Sequence, residues 1–293
     1  VHDYLISVLL GIVEGVTEFL PVSSTAHLRM AEALLQVSLT SGYWKMYTIV
    51  IQLGAILCLP IYFRARIATL WASYPRGARG DRTWFTHPLS LALLAFTVTA
   101  GPGLLFTKFI GKQLERPAAI GTALLLGGIL MWVVDVLNAR GEAAGPTAQG
   151  RIRTWSMDRM SPWQALWIGA CQVLSAVFPG TSRSMITIAA GQVAGMSRAS
   201  ALEFSFFLSM PTMTAAVAYD LYKSSTSAGA DTIGTAPMDP HGWGVLAVGL
   251  GVSFVVAYAA VAWFMAYVTK HGFVPFAVYR IAVGAAVLAL MTA

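Results

Sequence analysis

The sequence predicts an all-α polytopic membrane protein, an inverted-topology repeat of six transmembrane helices plus two re-entrant helical hairpins. Three observations predict it: a charge-poor composition, two apolar pieces broken at similar turns, and a match between the two halves. Of 293 residues, 57% are hydrophobic and 11% charged. A soluble domain carries about 25% charged residues, so this chain cannot cover itself with a water-soluble surface. The net charge of +6 lies in loops between apolar runs. That distribution fits membrane topology and argues against nucleic-acid binding. Cys58 and Cys171 sit in apolar segments and form no metal spacing or disulfide framework. The start of the sequence lacks the basic region and cleavage site of a signal peptide.

Six runs are long enough to span a bilayer: 46–63, 88–106, 118–134, 203–222, 243–268 and 275–291. Two further apolar pieces are broken. The first, 5–20, contains Glu14 and Glu18 and runs into Pro21. The second, 163–178, runs into Pro179-Gly180 and a Ser/Thr-rich turn. Irregular backbone at membrane depth is tolerated where protein buries it or water reaches it. Each piece therefore reads as a re-entrant hairpin that lines a polar cavity.

An offset of 158 residues takes Gly11 to Gly169, Pro21 to Pro179, Ser23 to Thr181, Ser24 to Ser182 and Pro117 to Pro275. This reads as an internal duplication. The single membrane domain 1–293 then divides into a first repeat 1–137, a cytoplasmic linker 138–161 and a second, inverted repeat 162–293. Arg64, Arg66, Arg76, Arg79 and Arg82 place one loop inside, and Arg140, Arg151, Arg153 and Arg159 do so for the linker. The stretch 223–242, with Asp231 and Asp239, is expected outside. Lys108, Lys112 and Arg116 also fall outside in this scheme, against the trend. Three spans per half put the halves in opposite orientations, with a site expected where repeats meet.

Glu14 and Glu18 are four residues apart and share one helix face. Two such carboxylates within apolar sequence either pair with Arg or stay protonated, or they hold a hard cation such as Mg²⁺ or Ca²⁺. Ser23, Ser24 and Thr25 follow Pro21, and at least one of them caps the next helix. Ser24 and His27 lie three apart, the reach of a hydroxyl nucleophile and an imidazole base. In the second hairpin, Gly180, Thr181, Ser182 and Ser184 offer hydroxyls and free N–H groups at a helix start. Arg183 adds a guanidinium suited to phosphate, and Thr187 lies one turn on. Gln172 and Ala176 stand opposite Glu14 and Glu18, so one hairpin alone bears the acids. Glu203 and Arg280 fall in or beside spans, as an ion pair or as substrate contacts, and Gln52 lines the cavity or bonds a neighbouring helix. Acids, hydroxyl, imidazole and guanidinium together suit phosphoryl transfer.

The run Glu14-Gly15-Val16-Thr17-Glu18-Phe19-Leu20-Pro21-Val22-Ser23-Ser24-Thr25-Ala26-His27 resembles the first signature of the undecaprenyl-diphosphate phosphatases, the bacitracin-resistance proteins. Pro179-Gly180-Thr181-Ser182-Arg183-Ser184, with Thr187, resembles the second. Glu203-Phe204-Ser205-Phe206 and Pro275-Phe276-Ala277-Val278-Tyr279-Arg280 are also similar to family segments. The resemblance covers essentially the whole chain and departs at Ala26, where a Gly is expected. It implies hydrolysis of undecaprenyl diphosphate to the monophosphate and phosphate, with a divalent cation. It implies an inner-membrane enzyme whose site faces the external side, with Glu14 and Glu18 handling metal or protons. Ser24 and His27 would be nucleophile and acid/base partner, with attack by Ser24, His27 or a water all left open by the pattern, and Arg183 the phosphate ligand. Bacitracin would compete for the lipid and not for the protein, and a homodimer is compatible with the pattern. The rival expectation is a transporter of the polyprenyl phosphate carrier, because inverted repeats with broken helices are a common transporter plan.

Overall fold

A computed structural model describes residues 2–37, 42–106, 116–143, 152–226 and 239–291. The topology assignments made from Lys108, Lys112, Arg151 and Asp231 lie outside the described residues. Within them the chain is helical apart from one isolated bridge, Thr154 to Met196. The helices are α1 (His2–Thr17), α2 (Ser24–Leu35), α3 (Gly42–Tyr62), α4 (Arg64–Ala72), α5 (Pro88–Phe106), α6 (Pro117–Ala143), α7 (Pro162–Val177), α8 (Arg183–Val193), α9 (Arg198–Thr226), α10 (Pro240–His271) and α11 (Val274–Leu290). A short 3₁₀ turn, Met157–Arg159, precedes α7.

Among the described residues, four stretches are long and apolar enough to cross a bilayer: Tyr43–Tyr62, Pro117–Ala143, Arg198–Tyr222 and Pro240–His271. The shorter Pro88–Gly103 and Val274–Leu290 are apolar too. An all-helical chain with such segments satisfies its backbone polar groups internally, as lipid requires. The protein is a polytopic membrane protein.

Two compact units divide the chain. The first comprises Val1–Phe19, Ser24–Tyr62 and Ser209–Ala262. Its core joins Ile6 and Leu10 of α1, Leu28 of α2, Tyr47 and Ile51 of α3, and Val245 and Leu246 of α10. Lipid gives apolar faces no reason to associate, so close approach and buried polar bonds hold such helices together. At Gly15 on α1 an added Cβ would sit 2.8 Å from the Ser253 carbonyl oxygen of α10. Ser7 Oγ donates to the Val245 carbonyl at 2.7 Å, Tyr47 OH donates to the Ser7 carbonyl at 2.7 Å, and Ser253 Oγ donates to the Ile51 carbonyl at 2.8 Å.

The second unit comprises Leu20–Ser23, Phe63–Leu208 and Trp263–Ala293. Here α7 lies on α5: Thr99 Oγ1 donates to the Gly169 carbonyl at 2.8 Å and receives Gln172 Nε2 at 3.2 Å. At Gly284 of α11 an added Cβ would fall 2.7 Å from the Gly121 carbonyl oxygen of α6, so only glycine permits that approach. The N-terminus of α7 is closed by a capping box between Ser161 and Gln164.

Two charged clusters tie the helices of this unit together. Arg66 of α4 donates from Nε to Glu203 at 2.7 Å and from Nη2 to Asp158 at 2.8 Å. Asp135 of α6, fully buried, accepts from Arg198 Nε at 2.7 Å and Nη2 at 2.9 Å, from Gln192 Nε2 at 3.1 Å and from the Phe273 N–H at 2.9 Å. Asp135 thereby joins α6, α8, α9 and the turn into α11. Removing it would strand a guanidinium and an N–H in the interior. Asp135→Ala is expected to cost on the order of 3–5 kcal/mol, read as a fall in the thermal unfolding midpoint in detergent. An unchanged midpoint would mean that the cluster contributes nothing to the fold.

Candidate active site

The first broken helix turns where its proline predicts. Helix α1 ends at Thr17, the Glu18 N–H still donates to the Glu14 carbonyl at 3.0 Å, and the chain reverses through Val22 N–H to the Leu20 carbonyl at 2.8 Å. Ser23 adopts φ +77°, a left-handed conformation uncommon for a residue with a side chain. Helix α2 then starts at Ser24. The Ser24 hydroxyl donates to Glu18 Oε2 at 2.7 Å. Glu14 is 0% exposed and Glu18 8%, one helical turn apart. His27 lies half-buried one turn along α2 from Ser24, while Thr25 is exposed.

The second broken helix repeats this design. Helix α7 ends at Val177, and the Thr181 N–H donates to the Phe178 carbonyl at 3.2 Å. Gly180 (φ +90°) and Ser182 (φ +70°) turn the chain, and α8 starts at Arg183. Ser182 Oγ caps α8 by accepting the Met185 N–H at 3.4 Å. An added Cβ at Gly180 would lie 3.0 Å from the Ile120 carbonyl oxygen, in addition to its unfavourable φ. Arg183 is half-buried.

The local backbone moves the correspondence between the turns by one residue. Ser23 and Ser182 are each the left-handed residue directly before a helix, and they stand 159 positions apart. The offset of 158 pairs Ser24 with Ser182, whereas the helix starts pair Ser24 with Arg183. The hydroxyl of one turn and the guanidinium of the other thus hold the same first helical position.

Arg280 of α11 links the turns. It is 0% exposed. Its Nη1 donates to the Pro21 carbonyl at 3.1 Å, and its Nη2 lies 3.1 Å from the Gly180 carbonyl, 3.0 Å from that of Thr181 and 3.2 Å from that of Ala123. Ser184 Oγ adds a bond to the Leu20 carbonyl at 3.0 Å. Residues 20–23 and 179–182 are therefore bonded to common partners within the second unit.

Several expected site residues do other work. Glu203 does not pair with Arg280. It is held by Arg66, because the start of α9 lies beside α4, and Arg280 is taken up by backbone carbonyls. Ser184 and Thr187 are each 1% exposed. Thr187 Oγ1 bonds the Arg183 carbonyl at 2.9 Å and the Ser205 hydroxyl at 2.7 Å, which fixes α8 against α9. Gln52 is half-buried on α3. The structural roles of Asp135 and Arg198 were missed in the sequence, although an acid at the end of the apolar run 118–134 was a visible signal.

Among the described residues, no group of three His, Cys, Asp or Glu side chains is arranged to hold a metal. Glu14 and Glu18 form a two-carboxylate oxygen set. That suits Mg²⁺, which is commonly bound by one or two carboxylates together with substrate phosphates and water.

Arg280 predicts a coupled effect on both turns. Arg280→Met removes the guanidinium and leaves the carbonyls of Pro21, Gly180 and Thr181 without their donor. Hydrogen–deuterium exchange is expected to rise in the peptides that carry both turns, while the midsection of α10 keeps its protection. Unchanged exchange at either turn would separate Arg280 from its support.

A family model described as Bacitracin resistance protein BacA matches residues 7–286. The "Undecaprenyl-diphosphatase" of Koribacter versatilis (strain Ellin345) is 62% identical over 291 residues, covering 98% of this chain and 98% of its own length. The "Undecaprenyl-diphosphatase 2" of Paramagnetospirillum magneticum is 40% identical over 292 residues, with coverage of 97% and 98%. The "Undecaprenyl-diphosphatase" of Caldanaerobacter subterraneus subsp. tengcongensis is 38% identical over 283 residues, with coverage of 97% and 94%. The match takes in both broken helices and the Arg280 that ties them, and on that ground the chain belongs to the bacitracin resistance protein BacA family.

Proposed function

We propose that this protein hydrolyses undecaprenyl diphosphate to undecaprenyl phosphate and inorganic phosphate, returning the carrier lipid to envelope synthesis. Family membership and the names of its relatives support the substrate class. The observation that carries the chemistry is the Ser24 hydroxyl donating to a largely buried Glu18 carboxylate at a helix start.

In this reading Ser24 Oγ attacks the terminal phosphorus as Glu18 takes the hydroxyl proton. The bond between that phosphorus and the bridging oxygen breaks, and undecaprenyl phosphate leaves. Water then cleaves the phosphoserine, with the proton handled by Glu18 or by His27. Glu18, already hydrogen-bonded to Ser24, takes over the base role first expected of His27. Arg183 and the N–H groups at the start of α8 neutralise charge on the phosphoryl oxygens. Ser23, Thr25, Thr181 and Ser182 border the reacting groups. A divalent cation held by Glu14 and Glu18 would supply further charge neutralisation on the diphosphate.

The architecture proposed with it is the inverted repeat with six spans and two re-entrant hairpins, its site open to the external face of the bacterial inner membrane. The recurrence of a left-handed serine before a helix in both turns supports the duplication. Bacitracin would then act by sequestering the lipid. A homodimer remains part of the proposal.

Phosphate release from undecaprenyl diphosphate by the purified protein in detergent tests the reading. Glu18→Gln and Arg183→Ala should each lower turnover by about 10²–10³-fold or more while the protein stays folded. EDTA should stop turnover, and added Mg²⁺ should restore it. Wild-type rates in both variants would overturn the mechanism. Lipid movement across sealed vesicles without phosphate release would favour the transporter.

A further inference from the structure

We propose that a groove between α6 and the second turn holds the first isoprene units of the substrate's tail, an inference that rests on the hydrolase reading. A cavity of about 520 Å³ lies against α6. Phe178 and Thr181 of the second turn, Met185 and Ile186 of α8, and Leu126 and Leu130 of α6 are among its lining residues. The α6 residues that line it span positions 118–130, about 18 Å at 1.5 Å per residue.

The groove borders two chemically different regions. Met185 and Ile186, which line it, lie within one helical turn of Arg183, the residue expected to meet phosphate. Leu126, 59% exposed, and Leu130, 45% exposed, open it to the surroundings, which for this chain are lipid. A ligand with an anionic head and a long apolar tail matches both regions. A groove of this length holds only the start of a 55-carbon chain, and the remainder passes into the bilayer.

Gly127 lets Arg280 and Met185 pack against α6 at the floor of the groove. An added Cβ there would lie 2.5 Å from Arg280 Nη2 and 2.8 Å from Met185 Cε. The guanidinium that supports the turns thus lies directly beneath the proposed tail path. Filling the groove and holding the head are thereby linked through one residue.

The test uses the native protein with a farnesyl diphosphate analogue that carries a diazirine on its first isoprene unit. Photolysis should label peptides within 118–130, and undecaprenyl phosphate should displace the label. A second arm compares Leu126→Trp with Ile129→Trp, which faces lipid beside the groove. Leu126→Trp should raise KM for farnesyl diphosphate about tenfold, the loss of roughly two buried methylenes, and should change KM for isopentenyl diphosphate, which has a single isoprene unit, less. Ile129→Trp should match the wild type for both. Labelling at 118–130 without phosphate release would support the groove and sink the hydrolase reading. Phosphate release with the label elsewhere, or with a label that undecaprenyl phosphate does not displace, would overturn the groove. Equal KM values for Leu126→Trp and the wild type with farnesyl diphosphate would overturn it too.

Discussion

A buried guanidinium bonded to backbone carbonyls is the constraint on which the rest of this structure depends. Two turns that leave helical geometry inside a membrane protein expose carbonyls with no internal partner, and hydrocarbon cannot solvate them. Arg280 answers that need at Pro21, Gly180 and Thr181, and it also reaches Ala123 on α6. The planar fork of arginine can donate in several directions at once, whereas a lysine ammonium on its flexible stem could not keep the same geometry. The charge is costly to bury, and several carbonyl dipoles offset that cost together. The turns and Arg280 therefore depend on one another: neither is stable in this environment without the other.

Other contacts make Arg280 a fixed point. Helix α11, which carries it, lies so close to α6 that Gly284 meets the Gly121 carbonyl. Asp135 anchors the turn that leads into α11 through the Phe273 N–H, and it draws α8 and α9 in through Gln192 and Arg198. Arg66 does the same for α4 and α9 through Glu203. Each cluster fixes a helix end with charge-assisted bonds, which are the stronger kind where water is scarce. The second turn lies between helices that these clusters hold, which gives it a rigid frame.

Much of this was legible in the sequence, for definite reasons. Pro21 and Pro179 mark the breaks because proline cannot continue a helix, and Glu14 with Glu18 stood out because paired acids are rare in apolar runs. The span order followed from hydropathy, although only four stretches reach full spanning length among the described residues. What the sequence hid depends on partners without a side-chain signature. Arg280 looked available for Glu203 because carbonyls are invisible in a one-letter code. Ser184 and Thr187 looked like ligand hydroxyls because capping and packing use the same residue types as binding. The offset of 158 was read from glycines and prolines, whereas the left-handed serines stand 159 apart, a backbone feature that composition does not reveal.

That shift by one residue bears on function. With the turns aligned on their left-handed serines, Ser24 and Arg183 occupy equivalent first positions of α2 and α8. A carrier that presents one ligand alternately to two sides gains from halves that make similar contacts. Here the equivalent positions bear a hydroxyl and a cation, and an offset of 158 puts Gln172 and Ala176 where the first half has the acids of α1. Phosphoryl transfer asks for this difference: a group to attack, a base to take its proton and a positive charge to stabilise the phosphoryl oxygens. In the proposed mechanism the Ser24–Glu18 bond joins the first two, and Arg183, at the start of α8, supplies the third. Divergence at matching positions within a shared backbone design is what an ancestral duplication would leave once one copy had taken up the nucleophile and the other the phosphate.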